Sequence, residues 1–471
     1  SMVVQHNMQA ANANRMLGVT TSAQSKSTEK LSSGYKINRA ADDAAGLTIS
    51  EKMRKQIRGL DKASSNAQDG VSSVQTAEGA LTEVHSMLQR MNELAVQASN
   101  GTNSKDTDRK AIQDEIDQLN TEIDRVAETT KFNEIYLLKG DDGEKTINLN
   151  AHDAGLKGTL VDNGSGKATF TMKELSVGDS VSIGGKNYTI GSTAADAQKI
   201  VTGQEKAGGK VTVNGVEYTY DDADKKWKDA AGADVQIGTG AAAGKIKIGA
   251  GDKVSDGTTT LTAMTDAKDA TGAANADGID DNDNSVITAE KAYSLAKDEL
   301  VAANHIGDTE NTAAVAQDTT NKNVFTITTG SAKVANTLSF SLHVGADADM
   351  TNKITVDIDT MNSANLGIKG LNVTDKNGTA ATYAIDAISD AISKVSSQRS
   401  ALGAVQNRLE HTIDNLDNIS ENTSSAESRI RDTDMAKEMV NYSKNNILAQ
   451  AGQSMLAQAN QSNQGVLSLL Q

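Results

Sequence analysis

Apolar and small residues recur with helical spacing between Val71 and Ala98. They follow one another at steps of 3, 4, 3, 4, 3, 4 and 3 residues, at Val74, Ala77, Leu81, Val84, Leu88, Met91, Ala95 and Ala98. This is the a/d spacing of a coiled-coil seam. A lone helix in water gains nothing from one apolar edge, so the pattern predicts a helical partner.

Two other stretches carry the same pattern. The first follows a polar loop in which Ser104 or Asp106 is expected to cap a helix that ends near Thr130. Its apolar positions are Ile112, Ile116, Leu119, Ile123 and Val126. The second lies far downstream, at Ile388, Ile392, Val395, Leu402, Leu409, Ile413 and Leu416. We therefore expect the two ends of the chain to meet in one helical bundle, with the segment between them as an insertion.

Weaker apolar stripes mark both termini. Residues 2–33 are rich in Gln, Asn, Ser, Thr and Ala, which predicts a helix that is held only in an assembly; a frayed end is the alternative. From Ala384 a single helical pattern runs to the C-terminus, with a weak patch near residues 421–428. The last residues are apolar again, and an exposed apolar tail usually needs a partner.

The segment LSSGYKINRAADDAAGL at 31–47 predicts a break between helices. Gly34 can stop one helix and Asn38 can cap the next. Asp42 and Asp43 could be read as an acid–base pair, but no other catalytic group accompanies them. An ion-paired turn that involves the nearby basic residues is the favoured interpretation.

Residues from about 150 to 335 have a different composition, with frequent glycine and with Thr and Val that alternate with polar residues. VSIGGKNYTI (181–190) and VTVNGVEYTY (211–220) each alternate, turn at Gly-Gly or Asn-Gly and alternate again, which predicts two β-hairpins. Residues 288–302 predict a helix, residues 338–371 predict short strands, and Phe132 and Tyr136 are expected to anchor an extended segment. The predicted fold is a mainly α core of long coiled-coil helices from both chain ends, with a short β-hairpin region, plus one or two β-rich α+β inserted outer domains.

Composition and charge exclude several classes of function. The net charge of −16 argues against nucleic acid and against an anionic membrane as partners. No apolar run approaches the ~18 residues of a membrane span, no signal peptide is expected at the start, and Ser1 is expected to be a remnant of tag removal. The chain contains neither cysteine nor proline. These absences suit a chain of long helices that folds after export, although chance or a biased lineage is the alternative.

Candidate sites for chemistry are weak. None of the six histidines begins an HExxH motif, and neither a phosphate-binding loop nor a nucleophile elbow is present. DGIDDNDNSVITAE (277–290) is similar to a calcium loop, but Ser285 stands where glycine belongs and Lys291 where a bidentate Glu belongs. Trp227 is interpreted as a partly buried hairpin anchor rather than a ligand platform. The sequence predicts no catalytic residue, metal or cofactor.

Six motifs resemble bacterial flagellin: LSSGYKINRAADDAAG (31–46), NAQDGVSSVQTAEGAL (66–81), LQRMNELAVQASN (88–100), EIDRVAETTKFN (122–133), SRIRDTDMAKEMV (428–440) and ILAQAGQSMLAQANQ (447–461). The resemblance covers about 2–145 and 337–471. It implies a terminal coiled-coil inner domain at 1–34 and 430–471. A helical bundle domain with a β-hairpin is implied at 35–149 and 336–429, and a variable, β-rich surface insertion at 150–335.

The resemblance also implies function and partners. The expected protein is a secreted, non-enzymatic subunit that polymerises into the extracellular flagellar filament for motility. A hook–filament junction protein is the alternative, and the long insertion favours the filament. Implied partners are other copies of the chain, the flagellar export chaperone and apparatus, the filament cap and the hook-junction proteins. Assembly residues are expected on the terminal stripes: Met8, Leu31, Met435, Met439, Ile447, Leu448, Met455, Leu456, Leu467 and Leu470.

Finally, the resemblance implies a ligand of the flagellin-sensing Toll-like receptor 5 of animal hosts. The matching positions are Gln89, Arg90, Glu93, Leu94, Gln97 and Glu115. At about 100° per residue from Leu88, Arg90 lies at about 200° and Leu94 at about 240°, so Leu94 is expected to point away from the seam. A contact with another helix or the next subunit is the alternative for Leu94. Asn92 stands where strongly recognised relatives often have Arg.

Overall fold

The structure is a computed structural model, which describes residues 7–239 and 245–470. About 50% of the chain is helical. Contacts divide the chain into two units, one made of residues 1–75, 340–356 and 403–471, the other of residues 76–339 and 357–402. The two long helices at residues 44–98 and 379–431 each contribute to both units. The predicted division into inner, bundle and surface domains stays a prediction.

In the first unit, helix α1 (Met8–Ser33) packs antiparallel on helix α8 (Met435–Leu469). The Asn7 amide donates to the carbonyl of Ala459 (3.1 Å), and Gln24 contacts Asn446 (3.4 Å). Gly34 ends α1 in the left-handed region (φ 78°), as predicted. The N-terminal helix thus has a partner within its own chain.

The turn after α1 differs from the prediction. Helix α2 (Ala44–Ala98) is capped by Asp43, whose carboxylate accepts the N–H of Gly46 (2.9 Å), and not by Asn38. Asp42 accepts the N–H groups of Asn38 and Arg39 (3.1 and 3.0 Å), and these hydrogen bonds lower its pKa. The turn is ion-paired through Arg39 and Glu29 (3.2 Å), but Asp42 and Asp43 bind main-chain donors and not the nearby basic residues.

Helix α7 (Thr379–Arg431) runs antiparallel to α2. In the first unit Ser64 donates to Asp417 (2.9 Å), and in the second unit Arg399 donates to Glu78 (2.7 Å). All eight predicted seam residues of α2 are at most 1% exposed, which confirms the register. The expected uninterrupted C-terminal helix is wrong: the chain breaks at 432–434, where Asp434 caps α8.

Helix α3 (Lys110–Thr129) begins after a π-helical turn (Lys105–Arg109) that Ser104 caps, as predicted. A short hairpin of β1 (Lys131–Phe132) and β2 (Ile135–Tyr136) follows. The predicted aromatic anchors are wrong, because Tyr136 is exposed and Phe132 only half-buried. Leu137 and Leu138 are the buried residues of this segment.

Two pairs of strands flank the insertion in sequence. Strand β3 (Asp141–Asn148) pairs with β18 (Ser331–Asn336), and β19 (Leu338–His343) pairs with β20 (Lys353–Ile358) around a 3₁₀ turn (Met350–Asn352). The inward residues of β20 alternate as predicted. The strands expected further on are absent: residues 359–371 are irregular apart from the one-turn helix α6 (Ser363–Leu366).

One core of the insertion surrounds helix α5 (Ala289–Asn304), which begins after the cap Thr288 as predicted. A four-stranded sheet has the order β16 (Ala314–Gln317), β17 (Val324–Thr328), β5 (Lys167–Met172) and β4 (Gly158–Gly164). A three-stranded sheet has the order β15 (Val286–Ile287), β7 (Lys186–Ile190) and β6 (Ser180–Ile183). The β6–β7 pair is the first predicted hairpin. Tyr383 of α7 belongs to this core, which joins the insertion to the long helix.

A second core lies between helix α4 (Ala194–Gly203) and a seven-stranded sheet. The strand order is β12 (Lys245–Lys247), β11 (Asp234–Gly238), β10 (Lys226–Lys228), β9 (Val216–Asp221), β8 (Lys210–Val213), β13 (Lys253–Ser255) and β14 (Thr260–Thr262). Strands β8 and β9 form the second predicted hairpin, with Asn214 and Gly215 both at positive φ (50° and 84°), as a type I′ turn requires. Trp227 is more deeply buried than expected and lies 5.2 Å from the Tyr220 ring.

Candidate functional site

A polar surface on α2 and α3 contains most of the predicted receptor-binding residues. Arg90 Nε donates to Glu115 Oε1 across the two helices (2.9 Å), and Arg90 Nη1 donates to Glu93 Oε2 (3.3 Å). The three side chains are 45–69% exposed, so solvent screens these pairs and they add little stability. Gln89 and Gln97 are also exposed. We call these five residues the Arg90 surface.

Leu94 does not belong to the Arg90 surface, because only 2% of it is exposed. The expectation that Leu94 points outward is wrong. Positions around the axis of α2 are measured from Leu88 at about 100° per residue. On this scale the buried residues cover an arc from about 240° through zero to about 40°, which is wider than one coiled-coil seam. The Arg90–Glu115 pair places α3 on the side where Leu94 lies, and the Glu78–Arg399 pair places α7 on the other side. Two neighbouring helices therefore widen the buried face of α2.

Two residues on these helices were missed by the sequence analysis. Val96 is a large apolar residue of α2 that is 51% exposed. Its position at about 80° from Leu88, outside the seam, could have predicted this exposure. Arg109 is fully buried and donates to three main-chain carbonyls, of Ala98, Asn100 and Asp375. A single arginine in a polar segment carries no sequence signal for burial.

The second candidate surface is the apolar face that the α1–α8 pair leaves exposed. The predicted assembly residues are 46–70% exposed at eight positions: Met8, Met435, Met439, Ile447, Leu448, Met455, Leu467 and Leu470. Leu31 and Leu456 are half-buried. A groove of about 650 Å³ between the two helices is lined by apolar and small residues that include Met16, Leu17 and Gly452. We call this region the terminal apolar face.

The acidic loop at 277–290 is occupied by its own main chain. Asp280 accepts the N–H of Asn282 (2.8 Å), and Asp283 accepts the N–H of Ser285 (3.0 Å). Within the described residues, no three His, Cys, Asp or Glu side chains are grouped so that they could hold a metal ion. No helix in the described ranges is both long and apolar enough to span a membrane.

Comparison with known proteins identifies the family. The bacterial flagellin N-terminal helical region matches residues 4–142, and the bacterial flagellin C-terminal helical region matches residues 385–470. A flagellin of Clostridium tyrobutyricum is 39% identical over 98% of this chain and 100% of its own length. Flagellin D of Vibrio cholerae is 36% identical over 99% of both chains, and a flagellin of Bacillus subtilis is 34% identical over the full length of both.

These matches span both ends of the chain and the insertion between them. They favour the filament subunit over the junction protein, because the relatives are named flagellins. The chain belongs to the flagellin family of structural proteins and is a subunit of the bacterial flagellar filament.

Proposed function

We propose that the terminal apolar face makes the contacts between subunits in the filament. One observation carries this proposal. Of the 22 exposed large apolar residues among the described residues, 12 lie on α1, on α8 or at the adjoining Leu470. The two helices contain 26 and 35 residues of a 471-residue chain. Such a concentration of apolar surface is typical of a protein–protein interface.

A division into three domains is proposed together with this surface. Residues 1–34 and 430–471 would form the inner assembly domain, 35–149 and 336–429 the bundle, and 150–335 the surface insertion. In this arrangement the acidic, glycine-rich insertion remains in solvent while the apolar helices are covered by neighbouring copies. Burial of these side chains would supply the main free energy of polymerisation.

A point substitution tests the assembly surface better than a truncation, because removal of 435–471 also removes the partner of α1. Ile447→Gln replaces a side chain that is 65% exposed, so the monomer should stay folded. We expect filament growth from seeds to be lost or strongly reduced in electron micrographs and in sedimentation. Gln453→Ser, an exposed polar position on the same helix, should polymerise normally. Normal filaments from Ile447→Gln would contradict the proposal.

We further propose that the subunit is secreted through the flagellar export apparatus, with the export chaperone on the apolar edge of α8. The filament cap and the hook-junction proteins are its proposed neighbours at the ends of the filament. The lack of cysteine and proline supports delivery as an unfolded chain. A pull-down with the export chaperone tests the second point: the full chain should bind, and a chain ending at residue 434 should not. Equal binding would place the chaperone site elsewhere.

A second proposed function is binding of the flagellin-sensing Toll-like receptor of animal hosts by the Arg90 surface. The supporting observation is that five of the six matching positions are solvent-exposed and that Arg90 joins two of them, Glu93 and Glu115, through ion pairs. The arginine is held in place by Glu115 and Glu93, and an ordered arginine in such a cluster is a common hot spot of interfaces.

Arg90→Ala should weaken binding of the monomer to the receptor ectodomain at least tenfold, or about 1.4 kcal/mol. Arg125→Ala is the matched control, since Arg125 is also exposed and pairs with Glu122 on its own helix. Leu94→Ala is unsuitable as a contact probe, because Leu94 is buried. Unchanged affinity of a folded Arg90→Ala variant would remove the Arg90 surface from this function.

A further inference from the structure

His152 lies at the start of the insertion and reaches the long helix α7. Its side chain is only 13% exposed, and His152 Nε2 lies 2.5 Å from Asp390 Oδ2. The two residues are 238 positions apart in the chain, and both belong to the second unit. The ring therefore joins the first segment of the insertion to the helix that follows it.

Asn304 fixes the main chain of His152. The N–H of His152 donates to Asn304 Oδ1 (2.9 Å), and Asn304 Nδ2 donates to the carbonyls of His152 (2.9 Å) and Leu300 (2.7 Å). Asn304 is only 3% exposed and is the last residue of α5. The segment at His152 is thus tied to α5, and its ring extends from there to α7.

A second contact joins α5 to α7 nearby. The hydroxyl of Tyr383 donates to the carboxylate of Glu299 on α5. Tyr383 and Asp390 are seven residues apart on α7, so they lie on one face of that helix, about two turns apart. Tyr383 is buried in the core that surrounds α5. The insertion thus contacts α7 at the buried Tyr383, at Thr379, whose hydroxyl donates to the carbonyl of Gly184 (3.4 Å), and at the His152–Asp390 pair.

The neighbours of His152 favour the doubly protonated ring. Asp390 is the group that hydrogen-bonds the ring, at 2.5 Å, and a carboxylate at this distance favours the charged form of a histidine. Burial lowers the pKa of His152, but the hydrogen bond and charge of Asp390 and the charge of Asp386 outweigh it, and the pKa is raised.

Other charged groups also face this pair. Asp153 follows His152 in the chain and acts on Asp386, and Lys394 lies one turn beyond Asp390 on α7. Asp390 and Asp386 are the two carboxylates that act on the imidazole, and both stabilise a positively charged ring. The ammonium group of Lys394 hydrogen-bonds the carbonyl of Asn365 (2.6 Å).

We propose that His152 and Asp390 form a proton-dependent latch that holds the start of the inserted region against helix α7. Because the pKa of His152 is raised in the folded state, its stabilisation is complete below about pH 6.5, the ordinary range of a histidine. The stabilisation is lost as the pH rises through the raised pKa. Docking of the insertion on α7 should accordingly weaken in alkaline solution.

The first test is an NMR titration of the full-length monomer with ¹³C-labelled histidine rings. The His152 signal should titrate above about pH 6.5, the value of a free imidazole. In Asp390→Asn its midpoint should fall by at least about half a pH unit. Asp414→Asn is the matched control, an exposed position on the same helix, and should leave the midpoint unchanged. A midpoint at or below that of free imidazole, or one that Asp390→Asn does not move, would overturn the proposal.

The second test measures docking itself by hydrogen exchange. Protection factors of amides in residues 379–391 should fall at least about fivefold between pH 6 and pH 9 in the unmodified chain. The fall should be below about twofold in His152→Gln, which offers a hydrogen bond without a titrating charge. Protection that is independent of pH in the unmodified chain, or equally dependent in His152→Gln, would show that the ring has only a structural role.

Discussion

Replacement of Arg109 tests how the second unit is held together at the end of α2. The guanidinium group is fully buried and has no carboxylate partner among the described residues. Its Nε donates to the carbonyl of Ala98 and its Nη2 to that of Asn100, both at 2.8 Å, while Nη1 donates to the carbonyl of Asp375 at 3.0 Å. The first two carbonyls lie at the C-terminal end of α2, where the helix leaves acceptors without partners and favours a cation.

The size of the effect follows from these three hydrogen bonds. A hydrogen bond to a charged group contributes about 1.5–3 kcal/mol, so three would sum to about 4.5–9 kcal/mol if they were additive. Removal of the side chain lets water reach some of the carbonyls, which reduces the loss. We expect Arg109→Ala to lower the free energy of unfolding by about 3–5 kcal/mol. Arg109→Lys should recover only a small part of the lost free energy, because one ammonium group cannot reach all three carbonyls that the guanidinium group binds.

Urea denaturation followed by far-ultraviolet circular dichroism measures this loss, since that signal reports on the helices. Arg125→Ala, which removes an exposed arginine and its Glu122 pair from the following helix α3, should change the free energy of unfolding by less than about 1 kcal/mol. A difference below about 1 kcal/mol between the two alanine variants would refute the role assigned to Arg109. Full recovery in Arg109→Lys would show that charge, rather than fork geometry, is what the site needs.

Two further substitutions test the seam and a buried carboxylate. Leu88→Ala should cost about 2–5 kcal/mol of unfolding free energy, because Leu88 is 0% exposed, whereas the exposed Glu93→Ala should cost less than about 1 kcal/mol; equal thermal shifts would contradict the register. Burial would raise the pKa of Asp308, but N–H groups led by those of Ala313 and Ser331 outweigh it and lower the pKa. Asp308→Asn should therefore lower the free energy of unfolding by about 1–3 kcal/mol at neutral pH. The loss should become smaller as the pH falls below about 4 and through the lowered pKa. A loss that urea denaturation finds to be the same at every pH would contradict this assignment.

Local chemistry made much of the fold predictable. The spacing of apolar residues placed the α2 seam, because a helix turns by a constant angle and the same residues must face one side. Gly34 was predicted correctly to end a helix, because glycine readily adopts left-handed backbone angles. Ser104 was predicted correctly as a cap, because its hydroxyl accepts a main-chain N–H. The Asn214–Gly215 turn followed from the same kind of requirement.

Competition between local signals limited the prediction elsewhere. Asn38 and Asp43 are both good caps, and the structure uses Asp43, which directly precedes Ala44, whereas the Asn38 side chain donates to the carbonyl of Tyr35 (2.9 Å). The C-terminal helix breaks at 432–434 because Asp434 offers a cap and Lys36 N–H binds the Arg431 carbonyl. Each outcome depends on a second segment that the local pattern does not include.

What the sequence determined by itself is therefore the apolar seam of α2, the two hairpins of the insertion, the family and the apolar terminal stripes. The tertiary structure alone decided which faces remain free. Leu94 is buried because α2 has neighbours on two sides, and periodicity shows where a helix is apolar but not how many partners it has. The carbonyl cluster at Arg109 and the His152–Asp390 contact likewise join residues that are far apart in the chain. Such contacts exist only after the chain has folded, because burial and electrostatics depend on distances that no local spacing specifies.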